Sequence, residues 1–229
     1  MLAEPAGVGG LGIDVAAVLV GVLVDGEDAQ VFDELHLGLE NLAAFAGQTS
    51  LHPGRDGIWL TMAPVEPVSA SHQELTVSIV WRPFRGGQLT RSGQTFSFGE
   101  AVVFEARSNT AISVNEWRSV SRRLQDLMTF ASGEASAITF WNVRSSGTPG
   151  EPVSGRRVFA RLHEPRIVAP RPDDHAVVPA RLVLRLDDVP WQTLLSNWFE
   201  SYDEFRPILG TRGTVTSQGS SSRIKRCTS

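Results

Sequence analysis

Residues 15–24 form an unbroken apolar run, Val-Ala-Ala-Val-Leu-Val-Gly-Val-Leu-Val, that stops at Asp25-Gly26. Its length and β-branched content predict a buried strand followed by a turn. From 31 to 39 the pattern alternates, with Leu35, Leu37 and Leu39 on one face and Glu34, His36 and Gly38 on the other. The alternation breaks at 40–47, Glu-Asn-Leu-Ala-Ala-Phe-Ala-Gly, which reads as a short helix stopped by Gly47. A second alternating strand spans 74–82 through Leu75, Val77, Ile79 and Trp81, with Pro83 and Gly86-Gly87 expected to end it. A further extended segment covers 95–107, with a bulge expected at Gly99.

The clearest element is a helix over 114–131. Ser113 and Glu116 form a capping box, in which each side chain satisfies a backbone N–H at the helix start. Trp117, Val120, Leu124, Leu127 and Ala131 recur at spacings of three and four and make one apolar stripe, and Gly133 stops it. Strand patterns return at 136–144, 156–162 and 181–187, while 145–155 and 165–179 are rich in turn-forming residues and read as loops. In 136–144, Ile138 and Phe140 fall on one face, against Thr139 and Trp141. A second main helix is predicted over 189–206, starting near Asp188, with Pro190 in its first turn and Pro207 just past its end. Leu194, Leu195, Trp198, Tyr202 and Phe205 line one side of it. No internal repeat is visible. The sum is an α+β fold, mostly antiparallel β-sheet (sandwich-like) with two main helices.

Composition narrows the classes. The chain has 229 residues, 41% hydrophobic and 20% charged, with a formal net charge of −4. That suffices for a core and does not fit disorder, collagen or a basic nucleic-acid-binding chain. Lys225 is the one lysine among 21 basic residues, and Cys227 is the one cysteine. A lone cysteine forms no internal disulfide, so nothing points to an oxidising compartment. The apolar run 15–24 is about half a membrane span, and the residues before it carry Glu4 and Asp14 but no basic side chain. The expectation is a cytoplasmic chain without a leader or membrane contact.

The last residues differ in kind. Positions 211–229 contain nine Ser or Thr and four basic residues with no acid, and the preceding 210 residues hold 17 basic and 25 acidic groups, a net of −8. The expected organisation is a flexible lead-in at 1–14, a domain over 15–210, and a disordered or non-native tail at 211–229.

Candidate chemistry is sparse. Gly7, Gly9 and Gly12 spell G-x-G-x-x-G, but no strand precedes them in this chain and a strand rather than a helix follows, so the phosphate-binding context is missing. His36, His52, His72, His163 and His175 are scattered without metal-ligand spacing. His36 is expected exposed on the polar face of its strand. Cys227 reads as a bystander thiol, and no Ser has a nucleophile-elbow context. Asp187 and Asp188 precede a predicted helix and are expected to cap it. Asp173 and Asp174 lie in a Pro-rich loop beside His175, and a small cytosolic hydrolase using these three residues is the enzymatic alternative. Trp81, Trp117 and Trp198 fall on apolar faces and are expected in the core, while Trp59 and Trp141 have weaker assignments. Arg82, Arg85 and Arg91 surround the Gly-Gly pair and suit either a phosphate or a solvated hairpin end. No catalytic, cofactor or metal residue is assigned.

The order of motifs carries more. An apolar strand leads to Phe32-x-x-Leu35-x-Leu37-x-Leu39-Glu40-Asn41-Leu42. Next comes Ser113-Val-Asn-Glu-Trp with Leu124-x-x-Leu127-Met-Thr-Phe-Ala-Ser-Gly133. Last is Leu186-Asp-Asp-Val-Pro190 with Leu194-Leu-Ser-Asn-Trp198-Phe-Glu and Phe205-x-Pro207-Ile-Leu209. Over residues 15–210 this resembles the N-terminal domain of the ApeA-type HEPN proteins, bacterial anti-phage ribonucleases. The resemblance implies a non-catalytic module that senses a phage-derived trigger or restrains a C-terminal HEPN effector domain. That effector is its expected partner, and RNA contact by this chain alone is not expected. HEPN nucleases use an Arg and a His four to six residues apart, a pairing suited to proton transfer at a ribose 2′-OH. Arg157 and His163 match that spacing but fall on a predicted strand, so they are not assigned as catalytic. Family members usually begin with additional strands and continue into HEPN, which leads to the expectation of a truncated or frameshifted remnant or an excised domain. A decayed product without a present role is the third reading.

Overall fold

A computed structural model describes residues 18–20, 28–53, 60–90, 93–144, 159–163 and 182–218, with backbone alone at 18–20, 53, 60, 85–90, 93–98, 159–163 and 208–218. Nine strands and three helices alternate in the order β1 (Val18–Val20), β2 (Phe32–Leu39), α1 (Leu42–Ala46), β3 (Leu51–Pro53), β4 (Leu60–Met62), β5 (Val68–His72), β6 (Leu75–Thr90), β7 (Gly93–Ile112), α2 (Val114–Ser132), β8 (Ile138–Arg144), β9 (Phe159–His163) and α3 (Trp191–Gln218) among the described residues. Seven strands make one sheet in the order β1-β9-β8-β2-β7-β6-β5, and β3 pairs with β4 apart from it. Every pairing is antiparallel. The α+β class stands, with helices covering the core face of the large sheet.

The alternation in β2 explains its central place. Phe32, Leu35, Leu37 and Leu39 point into a core that Phe104 and Ala106 of β7 and Trp141 and Val143 of β8 share. Against this face lie Trp117, Leu124, Leu127 and Met128 of α2 and Trp191, Leu195 and Phe199 of α3. The expected capping box of α2 is present. Ser113 Oγ accepts from the Glu116 N–H at 3.2 Å, and a Glu116 carboxylate oxygen accepts from the Ser113 N–H at 2.8 Å. Gly133 ends the helix at φ +69°, the left-handed conformation that glycine adopts without steric cost.

The described tryptophans share one habit. Each donates its indole N–H to an acceptor on a different element: Trp117 to the Phe32 carbonyl (3.1 Å), Trp191 to that of Val77 (3.0 Å), Trp198 to that of Arg123 (2.8 Å), Trp81 to that of Gln48 (3.0 Å) and Trp141 to Ser121 Oγ (2.6 Å). Trp141 thus joins the core with the rest, and Trp59 lies outside the described residues.

Several boundaries differ from the sequence expectation. β6 does not stop at Pro83; it runs to Thr90, and Gly86-Gly87 lie within it. β5 covers β6 only over Leu75–Ile79, so Pro83 sits where β6 has a single neighbour and needs no second ladder bond. Gly99 is no bulge, because the β6–β7 register runs straight through Phe84↔Gly99. An added Cβ there would meet the tip of the exposed Phe84 ring at 2.5 Å, so the ring lies over Gly99 and would have to turn aside for a larger residue. The irregularities fall instead between Phe32 and Glu34 on β7, and between Gly38 and Leu39 on β8. The latter turns Trp141 and Val143 inward and leaves Phe140 on the other face, contrary to the expected pairing of Ile138 with Phe140.

Residues 182–187 alternate in burial as a strand does, with Leu186 buried and Val183 exposed, yet they pair with no strand. Their N–H groups go to helix ends. Val183 donates to the Ala131 carbonyl at 2.8 Å and Leu186 to the Phe45 carbonyl at 3.0 Å, carbonyls that a helix leaves without an internal partner. Asp188 does not cap α3 either; its carboxylate accepts from the Arg185 N–H at 2.7 Å and closes the preceding turn. Pro190 accepts the first helical bond, from the Leu194 N–H.

α3 continues past Pro207 to Gln218 and so passes the compositional boundary at Gly210. Residues 203–207 are exposed, so the carbonyl that Pro207 leaves without a donor is open to water. Near its start, α3 closes the sheet edge: Gln192 Nε2 donates to the Ser71 carbonyl (2.7 Å), and its Oε1 accepts from the Ser71 N–H (2.9 Å).

Replacing Trp117 or Trp191 by Phe keeps most of the ring and removes the indole hydrogen bond to the neighbouring strand. Each change is expected to cost about 1–3 kcal/mol, read as a lower urea midpoint at constant m, whereas Phe205→Ala, at a side chain 45% exposed, stays within about 1 kcal/mol.

Candidate functional site

Two places concentrate polar chemistry. The first is the sheet face turned away from the helices. Glu34 and His36 stand two apart on β2, Glu105 and Arg107 on β7, and Arg144 ends β8, so the alternation that buries leucines on one face gathers charge on the other. The register sets Glu34 between Arg107 and Arg144, and His36 between Glu105 and Asn142. His36 Nε2 lies 2.8 Å from Glu34 Oε1, Arg144 Nη1 donates to Glu34 Oε2 at 2.6 Å, and Arg107 Nη2 reaches Glu34 Oε1 at 3.4 Å and Glu105 Oε2 at 3.8 Å. Arg82 bonds to Glu105 Oε1. His36, expected exposed, is 5% exposed, as is Glu34.

Glu34, His36 and Glu105 each offer a ligand atom within 4.8 Å of the others, a donor set known from metal sites. Their chemistry is already balanced, because each of the four carboxylate oxygens faces an Arg or His nitrogen. A cation would have to displace guanidinium groups. The arrangement ties four neighbouring strands, β6, β7, β2 and β8, together by charge.

Burial pushes the Glu34 carboxyl upward, but the hydrogen bond with His36 and the charges of Arg107, His36 and Arg144 outweigh it and hold its pKa below the ordinary 4.5. Asp126 goes the other way. Burial raises it above 3.8 against the lowering effects of the Tyr202 hydroxyl, which donates at 2.6 Å, and of Arg122 and Arg206. Tyr202 is raised by burial and by the same carboxylate.

The second place is a cleft of about 750 Å³ on the helix side. Its walls are the β5–β6 turn with His72 and Glu74, the end of β7 with Thr110, the first half of α2 with Glu116 and Arg123, and Phe199 and Glu200 of α3. Leu75, Ile112 and Val120 give it an apolar floor. The His72 and Phe199 rings stand 5.7 Å apart, and the Arg123 guanidinium lies 5.4 Å from the Phe199 ring and 5.0 Å from that of Tyr202.

The residues that sequence singled out fare unevenly. Asp173, Asp174, His175, Arg157, Arg91, Cys227 and the glycines of the G-x-G-x-x-G lie outside the described residues. His163 is in β9, its backbone opposite Val18. Arg82 is spent on Glu105, and Arg85 is a backbone position of β6 opposite Phe98. His52 is an exposed residue of β3, and of the histidines whose side chains are described only His72 reaches the cleft. Sequence reasoning did not assemble Glu34, His36, Glu105, Arg107 and Arg144. Their signal was present as polar pairs two apart, and it lacked only the knowledge of which strands are neighbours.

No helix among the described residues is long and apolar enough to cross a membrane. The family model for ApeA N-terminal domain 1 matches residues 5–198. Neither a curated protein nor a solved structure matches the chain.

Since the folded-state pKa of Glu34 is depressed, its ionised form stabilises the protein fully above the unfolded-state value and ceases to do so as acid titrates it through the folded-state value. The Glu34→Gln variant is therefore expected to be about 3 kcal/mol less stable than wild type at neutral pH. The two should converge as pH falls below 4.5. Urea unfolding at neutral and acidic pH measures the gap.

Proposed function

Because the chain belongs to the ApeA N-terminal domain 1 family, we propose that it is a non-catalytic sensing or regulatory module of an anti-phage system. It acts in the cytoplasm beside a HEPN ribonuclease effector, whose activity it holds in check until a phage-derived trigger is present. The family match over residues 5–198 carries this reading. The chemistry of the outer sheet face supports it. A general acid–base pair needs groups able to exchange protons with a substrate, and the carboxylates and histidine of the outer sheet face are instead engaged with three arginines. His163 is part of a sheet strand, a different setting from the helical Arg–His pair of HEPN enzymes.

The test is direct. Purified chain incubated with end-labelled single-stranded RNA is expected to leave the RNA intact. Cleavage that Arg157→Ala or His163→Ala abolishes would overturn the non-catalytic reading. Mixed with a separately prepared HEPN effector of this family, the chain is expected to lower the effector's cleavage rate, and an unchanged rate would rule out restraint.

A further inference from the structure

Strands β6 and β7 outrun the rest of their sheet. Among the described residues, β5 pairs with β6 over Leu75–Ile79 and β2 pairs with β7 over Phe104–Ile112, and neither reaches farther. From Val80↔Val103 to Thr90↔Gly93 the two strands have only each other. The base of this ribbon is tied down. The Trp81 indole N–H donates to the Gln48 carbonyl, and the Glu100 carboxylate accepts from the Ser50 N–H at 2.6 Å. Farther out, Phe84 is 56% exposed. A two-stranded ribbon standing alone is marginal in water and needs a third strand or a packed face. Its two free edges differ. On β6, Pro83 has no N–H to offer, Arg82 and Arg85 carry charge, and Gly86-Gly87 supply no side chain, all of which discourage pairing. On β7, residues 93–103 hold no proline and no basic side chain, their one acid is the engaged Glu100, and the register runs without a bulge. That edge is open to a strand.

The sequence of the edge selects its partner. Around Ser97 the chain reads Gln94-Thr-Phe-Ser-Phe-Gly-Glu100, so Phe96 mirrors Phe98, Thr95 mirrors Gly99 and Gln94 mirrors Glu100. An isologous contact requires this reciprocity, because wherever one residue meets another, the second meets the first. We infer that the outer half of β7 pairs with the same edge of a second copy of this chain, antiparallel about a two-fold axis at Ser97 and normal to the sheet. This register sets Phe96 of each copy opposite Phe98 of the other, Thr95 opposite Gly99, and the Gln94 amide position opposite the Glu100 carboxylate position. No like charges face each other, and the aromatic pairs are of the kind that stabilises neighbouring strands. Within its own ribbon Phe96 stands opposite Gly87 and Phe98 opposite Arg85, so neither has an aromatic cross-strand neighbour. The axis keeps the core faces of both copies on one side of the joined sheet. Phe96 and Phe98 lie on the continuation of that face, in step with Trp81↔Val102. The two sheets become one, and each ribbon gains its third strand.

Sedimentation velocity of the full chain is expected to show a monomer–dimer equilibrium that moves to dimer as concentration rises. Phe98→Ser is expected to weaken it about tenfold or more, while Met62→Ser, at an exposed side chain of β4, leaves it unchanged. A disulfide reads the register without depending on that affinity. Directly opposite residues of antiparallel strands have Cα atoms about 4.5–5.5 Å apart, within the span a disulfide bridges. In a Cys227→Ser background equilibrated with reduced and oxidised glutathione, Ser97→Cys is expected to give a covalent dimer on non-reducing gels. Thr95→Cys faces Gly99 of the second copy, which separates the two thiols by about 14 Å, and it is expected to stay monomeric on the gel. A chain that is monomeric at every concentration, or wild-type association of Phe98→Ser, overturns the inference. So does equal cross-linking of Thr95→Cys and Ser97→Cys, or a dimer that Ser97→Cys fails to cross-link.

Discussion

An indole ring is the largest apolar payload a side chain can bury, and it brings one N–H that cannot be left without an acceptor. In this protein that constraint is what joins the layers. Trp117 fixes α2 to the first residue of β2, Trp141 fixes β8 to α2, Trp191 fixes α3 to β6, and Trp198 fixes α3 to α2. Trp81 ties the same strand β6 to the segment after α1. Packing alone tolerates sliding by a fraction of a residue; a hydrogen bond from a buried ring does not. The positions of the cleft walls follow, since three of the four elements that form them are held by these bonds.

Charge is distributed by the same logic of what can be satisfied where. The face of the sheet under the helices has no room for hydration, and its positions are apolar, from alanine and valine to leucine, phenylalanine and tryptophan. The reverse face buries Glu34 and His36 almost as deeply, which is tolerable only because three arginines and Glu105 complete the network. The cleft follows neither rule: Glu74, Glu116 and Glu200 line it beside Arg123 and an apolar floor.

Much of this was legible in the residues. The Ser113–Glu116 box and the stripe from Trp117 to Ala131 fixed α2 almost to the residue, because capping and helical periodicity are local. The inward face of β2 was equally plain from Leu35, Leu37 and Leu39. What escaped was non-local. Residues 182–187 have strand-like burial without a strand, because their N–H groups serve the ends of α1 and α2, a use no alternation pattern encodes. Pro83 looked like a terminator, and only the short reach of β5 shows why it is harmless. The outer network lay in plain view as charged pairs spaced by two, yet Glu34, Glu105 and Arg144 come from three strands whose adjacency no single window of sequence contains. The cleft is harder still, for its lining comes from four elements and none of its residues is unusual alone.

The pair of bonds between Gln192 and Ser71 has a consequence for assembly. A terminal strand with unused backbone groups invites another chain to extend the sheet. Here a single side-chain amide, offering one donor and one acceptor, stands in for the neighbouring strand at Ser71. Because that amide belongs to the first turn of α3, the β5 edge is closed to a further strand at Ser71 only while the helix is seated.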